Sequence, residues 1–357
     1  MLNYLSFNHK LLLWSGRNTR KMPWLLEKDP YRIWISEIML QQTRVDQVIP
    51  YYERFLAKFP TITHLADANI DEVLKIWEGL GYYTRARNIH QSSRIVMKDY
   101  NGQFPKDYNE IKSLRGIGAY TAAAISAFAF NLKIAAVDGN CIRVISRVFG
   151  INSEANQAKS INNYQLIANK CLGMSDPSHF NQAMMDLGAT ICLPKNPICI
   201  ECPFEVECYA RNEGRISDFP PKKPKIVKVK RLLNYVFLVD KEGNSLIKRR
   251  ENKDIWKGLY EFILIEKKSK IKLNKSKIKE ELGALLTYVS EFSVQVDKYN
   301  HQLTHQSLEV IFYKISLSGK IRLKNNSGYL VENVKNFLNF AFPRIVRIYL
   351  ENDFKKD

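Results

Sequence analysis

From Asp29 to Tyr209 apolar residues recur three and four apart, the spacing of amphipathic helices, and no stretch alternates convincingly as a strand would. RVDQVIPYYERFLAKF sets Val45, Val48, Ile49, Tyr52, Phe55, Leu56 and Phe59 on one helical stripe, with Pro50 inside it predicting a kink or a late start. AYTAAAISAFAF is apolar nearly all round, which predicts a helix buried within a bundle but too short to span a membrane. Around Phe219 the texture changes. FPPKKPKIVKVKR combines three prolines with six basic residues and leaves little to bury, so it reads as a linker. Beyond it, NYVFLVD and NSLIKRR flank Lys241-Glu242-Gly243 as a hairpin, while FSVQVDKY and SLEVIFYKISL read as further strands. KIKEELGALL and FPRIVRIYLEND read as helices, so this half is a small α+β domain.

A chain of 357 residues is long enough for two cores, in line with that change of texture. Its formal charge of +18 at pH 7 favours a polyanionic partner, nucleic acid first. The N-terminal run carries no cleavable leader and no membrane span, which predicts a cytoplasmic protein, nucleoid-associated if bacterial, with no membrane role. Inside a cell structural disulfides are rare, so the crowding of Cys192, Cys199, Cys202 and Cys208 into seventeen residues reads as a metal site. The form C-x6-C-x2-C-x5-C suits a [4Fe–4S] cluster. Spacing alone leaves zinc open, although four-cysteine zinc sites normally show two C-x2-C pairs.

LRGIGAYTA puts Gly116 and Gly118 around an apolar residue directly before the buried helix. Glycines there let backbone amides at a helix start approach a phosphate, as in the hairpin of a helix–hairpin–helix element. VDGN supplies a carboxylate at Asp138 in a turn; by itself an Asp-Gly turn is ordinarily only a turn, and Glu37 by itself an ordinary solvated residue.

Together with Pro23-Trp24, SEIMLQQT, GLGYYTRARN and NQAMMDLGA, these motifs make the helical half resemble the endonuclease III superfamily of base-excision glycosylases. Within it the resemblance is to the adenine DNA glycosylases of the MutY type. It implies an all-α helix–hairpin–helix glycosylase domain with an iron–sulfur loop over 1–212, a linker over 213–230, and an α+β Nudix-like domain over 231–357. Asp138 falls on the family's catalytic aspartate and Glu37 on the glutamate of the adenine-specific branch. Cleaving an N-glycosidic bond needs a proton on the leaving base and negative charge near the oxocarbenium-like sugar. Glu37, desolvated when adenine flips in, would protonate N7, and Asp138 would stay ionised beside C1′, with a transient covalent adduct as the resemblance implies.

Tyr120 stands where bifunctional relatives carry a nucleophilic Lys, so no Schiff base is expected. The resemblance places Tyr120, Trp24 and Asp186 around the adenine, although Leu25 follows Trp24 where some relatives have Arg. It makes Gln42 and Tyr82 the side chains inserted into the base stack. Thr304 and His305, in HQLTH, resemble the loop that reads 8-oxoguanine. Gly258–Phe262 and Glu280–Gly283 resemble pieces of a Nudix box, but Ser276 and Lys277 stand where its Arg-Glu pair would be, leaving few carboxylates for Mg²⁺. The implied activity is monofunctional removal of adenine from duplex DNA containing an A·8-oxoguanine or A·G mispair, by a chain that suffices as a monomer. Two alternatives are a bifunctional glycosylase/lyase and a non-catalytic iron–sulfur DNA-binding protein.

Overall fold

The computed structural model describes residues 2–153, 158–221, 227–266, 273–289, 291–324 and 328–355. Helices α1 (Tyr4–Ser15), α2 (Pro30–Leu40), α3 (Val45–Lys58), α4 (Ile62–Asp67), α5 (Ile70–Ile76), α6 (Thr84–Asp99) and α7 (Tyr108–Ser113) come first. They are followed by α8 (Ala119–Phe130), α9 (Gly139–Phe149), α10 (Ala158–Leu172), α11 (Pro177–Thr190) and α12 (Tyr209–Asn212). Strands β1 (Val229–Val239), β2 (Asn244–Arg249), β3 (Tyr260–Glu261) and β4 (Ile263–Glu266) precede α13 (Lys275–Leu285). The chain ends with β5 (Phe292–Gln302), β6 (Gln306–Leu317), β7 (Leu330–Asn333) and α14 (Arg344–Asp353). Among the described residues no helix is long and apolar enough to cross a membrane.

Two compact units result, residues 1–68 with 88–224 and residues 69–87 with 225–357. The first is helical. Its α8 buries every residue from Thr121 to Ala127, as its unbroken apolar pattern requires, and ends on Asn131 in the left-handed conformation. Against α8 lies α2, opened by Asp29 accepting from the Tyr31 N–H at 2.9 Å and by proline at its first position. Pro50 does not delay α3, which starts at Val45 and runs through it. The stripe is right: Val48, Tyr52, Phe55 and Phe59 are buried. A helix the periodicity did not reveal is α1, whose Phe7 stacks on Phe204 of the cysteine loop at 4.3 Å between ring centres.

In the second unit, the four-stranded sheet runs β4-β1-β6-β5 and a smaller one β3-β2-β7. The expected β1–β2 hairpin is corrected here. Asp240 takes the N–H groups of Glu242 and Asn244, each at 2.9 Å, so the tight turn exists, but its two arms enter different sheets. Both faces of β1 are buried: Leu233, Tyr235 and Phe237 pack with α14, whereas Val236 and Leu238 pack with α13. Both edges of β1 are taken, by parallel β6 and antiparallel β4, which leaves none for β2.

The boundaries also differ from the sequence reading. Phe219, placed in the linker, is buried in the helical core and its carbonyl accepts from Arg147 at 3.0 Å, while Val229 and Lys230 already belong to β1. Residues 222–226 of the expected linker lie outside the described residues. Residues 69–87, assigned to the helical half, belong to the second unit because polar side chains tie them there. Asp71 meets Arg249 at 3.1 Å and the Tyr260 hydroxyl at 3.2 Å, and Glu78 accepts from Arg347 at 2.9 Å.

Candidate active site

Glu37 sits in the last turn of α2, a helix buried from Ile33 to Met39, and is itself only 4 % exposed. Asp138 caps the N-terminus of α9: one oxygen accepts from the Cys141 N–H and the other from the Asn140 side chain, each at 2.7 Å. Both carboxylates line one cavity of about 1050 Å³, with Trp24, Tyr120, Asn140 and Asp186 in the same wall. A purine fits such a space.

Burial raises the pKa of both acids, but their surroundings differ. Loss of solvent pushes Glu37 up to about 7; the hydroxyl of Tyr120 opposes the rise and the charge of Asp138 adds to it. Its Oε2 is buried with no partner among the described residues. Asp138 is also raised by burial, yet its bonds with Cys141 and Asn140 and the nearby Arg143 guanidinium all favour the anion. Tyr120 is held well above its ordinary pKa, chiefly by burial and then by the two carboxylates, so its hydroxyl remains a donor.

Of the expected pocket residues, Trp24 is buried edge-on to Tyr52 at 5.1 Å. Asp186, fully buried, accepts from Arg20 at 2.6 Å and Gln182 at 2.8 Å. Arg20, Gln182 and Asn140 escaped the sequence reading, although Asn140 lies inside the VDGN motif. So did Arg143, which donates to the Asn140 side chain at 2.8 Å and to the carbonyls of Cys192 at 2.6 Å and Gly188 at 2.7 Å. A Cβ at Gly188 would meet Asn140 Cβ at 2.4 Å, which explains a glycine there.

The hairpin glycines have different needs. Gly116 lies at φ +82° with Asn88 where a Cβ would go, 2.8 Å away, so the fold itself requires glycine. Gly118, the N-cap of α8, has an ordinary φ and open space around it, so nothing within the protein demands its small size. Gln42 and Tyr82 share a feature no sequence pattern displays: both are exposed and held at positive φ, +58° and +49°. In the second unit the Tyr82 and Thr304 hydroxyls are 2.6 Å apart, and both residues line a cleft of about 250 Å³ with His305.

Cys192, Cys199, Cys202 and Cys208 all line one small cavity, so the donor set converges. Among the described residues no three His, Cys, Asp or Glu side chains are arranged to hold a single metal ion. Arg147 reaches the Cys192 sulfur at 3.4 Å, a cation beside the would-be thiolates. Of the Nudix-box carboxylates, Glu261 is taken by Arg250 and Tyr235, and Glu280 and Glu281 pair with Lys277.

Residues 35–167 match the model of the HhH-GPD superfamily of base excision DNA repair proteins, and residues 234–352 match the NUDIX domain. An adenine DNA glycosylase of Buchnera aphidicola subsp. Acyrthosiphon pisum is 34% identical over 100% of this chain and 99% of its own length. The human adenine DNA glycosylase is 38% identical over 58% of this chain and 39% of its own length. Among solved structures, a thermostable thymine-DNA glycosylase is 31% identical with TM-score 0.55, covering 58% of this chain and 97% of that one. Endonuclease III in a non-covalent DNA complex shares the fold, at 22% identity and TM-score 0.52, over 60% of this chain and 100% of that one. With a helical base-excision domain, a Nudix-like α+β domain and a full-length relative all agreeing, this chain belongs to the adenine DNA glycosylases, DNA-binding enzymes of base excision repair.

Proposed function

We propose that the enzyme hydrolyses the N-glycosidic bond of adenine mispaired with 8-oxoguanine or guanine in duplex DNA, and that it does not cut the strand. The observation that carries this reading is one cavity holding two carboxylates, one of them raised by burial to about 7. The adenine leaves the stack and enters that cavity. Protonated Glu37 gives its proton to N7, and the C1′–N9 bond breaks with its electron pair passing to the base. The Asp138 carboxylate, held as an anion by its helix cap, faces the positive charge left on the sugar. Water adds to C1′ and returns a proton to Glu37, leaving an abasic site and free adenine. Arg20 and Gln182 fix Asp186 so that its carboxylate can meet the base edge, and Trp24 supplies an apolar face.

Tyr120 lies where a lyase would need an amine, so no Schiff base forms. Incubation with an A·8-oxoguanine duplex should therefore give strand breaks only after alkali, read on a denaturing gel. Breaks without alkali, or a borohydride-trapped adduct, would favour a lyase. Gln42 and Tyr82 are assigned to the vacated base stack, Gly116 and Gly118 to the phosphate, and Thr304 and His305 to the 8-oxoguanine. Each of these enters with one chain, so a monomer suffices.

A [4Fe–4S] cluster is assigned to Cys192, Cys199, Cys202 and Cys208. Four cysteines around one cavity in the spacing C-x6-C-x2-C-x5-C fit a multi-iron group better than zinc, whose four-cysteine sites normally show two C-x2-C pairs. Its iron–thiolate bonds would staple the 192–208 loop. Purified protein should be brown with broad visible absorption; a colourless, zinc-loaded protein would refute the assignment.

A further inference from the structure

The loop after β2 carries a side chain that the proposed reaction leaves unused. Trp256 lies at φ +61°, a left-handed conformation that a bulky residue seldom adopts and that persists only where its surroundings enforce it. Here they do. Arg231 grips both oxygens of Asp254 at 2.8 Å each, and Arg250 holds one of them at 2.9 Å. Arg250 also donates to the Ile255 carbonyl at 3.1 Å, Arg87 donates to the Lys257 carbonyl, and the Gly258 N–H closes on the Arg250 carbonyl at 2.7 Å.

The indole carried by this loop packs against the core of its unit, 6.1 Å from the His301 ring, and borders the 250 Å³ cleft that also contains Tyr82, Thr304 and His305. Tyr82 is fixed as well, by the Arg85 guanidinium 5.3 Å from its ring centre and by the Thr304 hydroxyl. Arg231 and Arg250 neutralise Asp254, the carboxylate of the cleft. Two rigid aromatic rings and a pair of hydroxyls suit a flat heterocycle, with faces to stack on and an edge to hydrogen-bond. We propose that Trp256 is a further DNA-binding residue that stacks on the purine opposite the excised adenine, with Tyr82 as the second ring and Thr304 at the purine's edge. This rests on the proposed action at A·8-oxoguanine pairs.

Trp256→Gly tests it well, because glycine tolerates φ +61° and the loop loses its ring without a backbone penalty. Equilibrium binding to A·8-oxoguanine and A·G duplexes, and single-turnover adenine release from each, are measured with the full chain. Affinity for both duplexes should fall on the order of tenfold in Trp256→Gly, the size expected of one aromatic–base stack, because either purine offers the same ring face. The indole also packs against the core of its unit, so the thermal midpoint of Trp256→Gly should fall, whereas Trp256→Phe should keep most of the affinity. Wild-type affinity for both duplexes in Trp256→Gly, or a loss that Trp256→Phe does not restore, overturns the stacking role alone. A wild type that releases no adenine from either duplex overturns the underlying reading, and the proposal with it.

Discussion

Glu37→Gln should bind an adenine-containing mispair as the wild type does while releasing adenine about 10²–10⁴-fold more slowly, the contribution typical of a positioned general acid. Gln keeps the shape and the hydrogen-bond reach of the side chain but has no proton to give N7. Single-turnover release and equilibrium binding to the same duplex separate the two effects, and a Glu37→Gln variant with full activity would end the assignment. The pH dependence follows from the same environment. Because burial raises Glu37 to about 7, the acid is present below that pH, and the wild-type rate should decline as pH rises through it.

Stability should run the same way in pH. Folded Glu37 keeps its proton up to about 7, whereas in the unfolded chain it loses it near 4.5, so its contribution is fully present below 4.5 and fades between those values. Above that window an ionised group is buried with one oxygen unpaired. Glu37→Gln has no such group, so it should match the wild type near pH 4.5. Near pH 8 it should be the more stable by on the order of 1–3 kcal/mol, as read from urea melts. No pH-dependent difference between the two would show that the carboxyl is not desolvated.

Asp138→Asn should lose about 10²–10³-fold in the rate of adenine release, the scale of one preorganised electrostatic contact with a developing charge. The fold should survive, since Asn is as good an N-cap as Asp and can still accept from the Cys141 N–H. Asp138→Ala removes the cap too and should cost about 0.5–2 kcal/mol of stability besides. Comparing the two variants by release rate and thermal midpoint separates the charge from the cap. If Asp138→Asn kept wild-type release, the carboxylate would be a helix cap and nothing more.

The chain by itself determined the things that depend on local order. The three-and-four spacing of α3 chose the stripe that is buried, the unbroken apolar run of α8 chose a central helix, and the cysteine spacing chose four side chains of one loop. Glu37, Tyr120 and Asp138 are named through the family resemblance that contiguous motifs carry, since each residue by itself would pass for an ordinary one. Periodicity is less informative where burial surrounds an element. β1 is apolar on both faces, so its pattern could not reveal that it pairs with β6 rather than with β2.

Only the tertiary structure decided what depends on residues distant along the chain. It seated residues 69–87 with the C-terminal unit through Asp71 and Glu78, and it set Tyr82 beside Thr304. It also joined Arg20 to Asp186 and linked Arg143 to both Asn140 and the carbonyl of Cys192. Above all, it gave Glu37 its raised pKa. A carboxyl group is a weak or a strong acid according to the solvent it loses and the charges brought near it, and those arrive only when α2, α8 and α9 close around the same cavity.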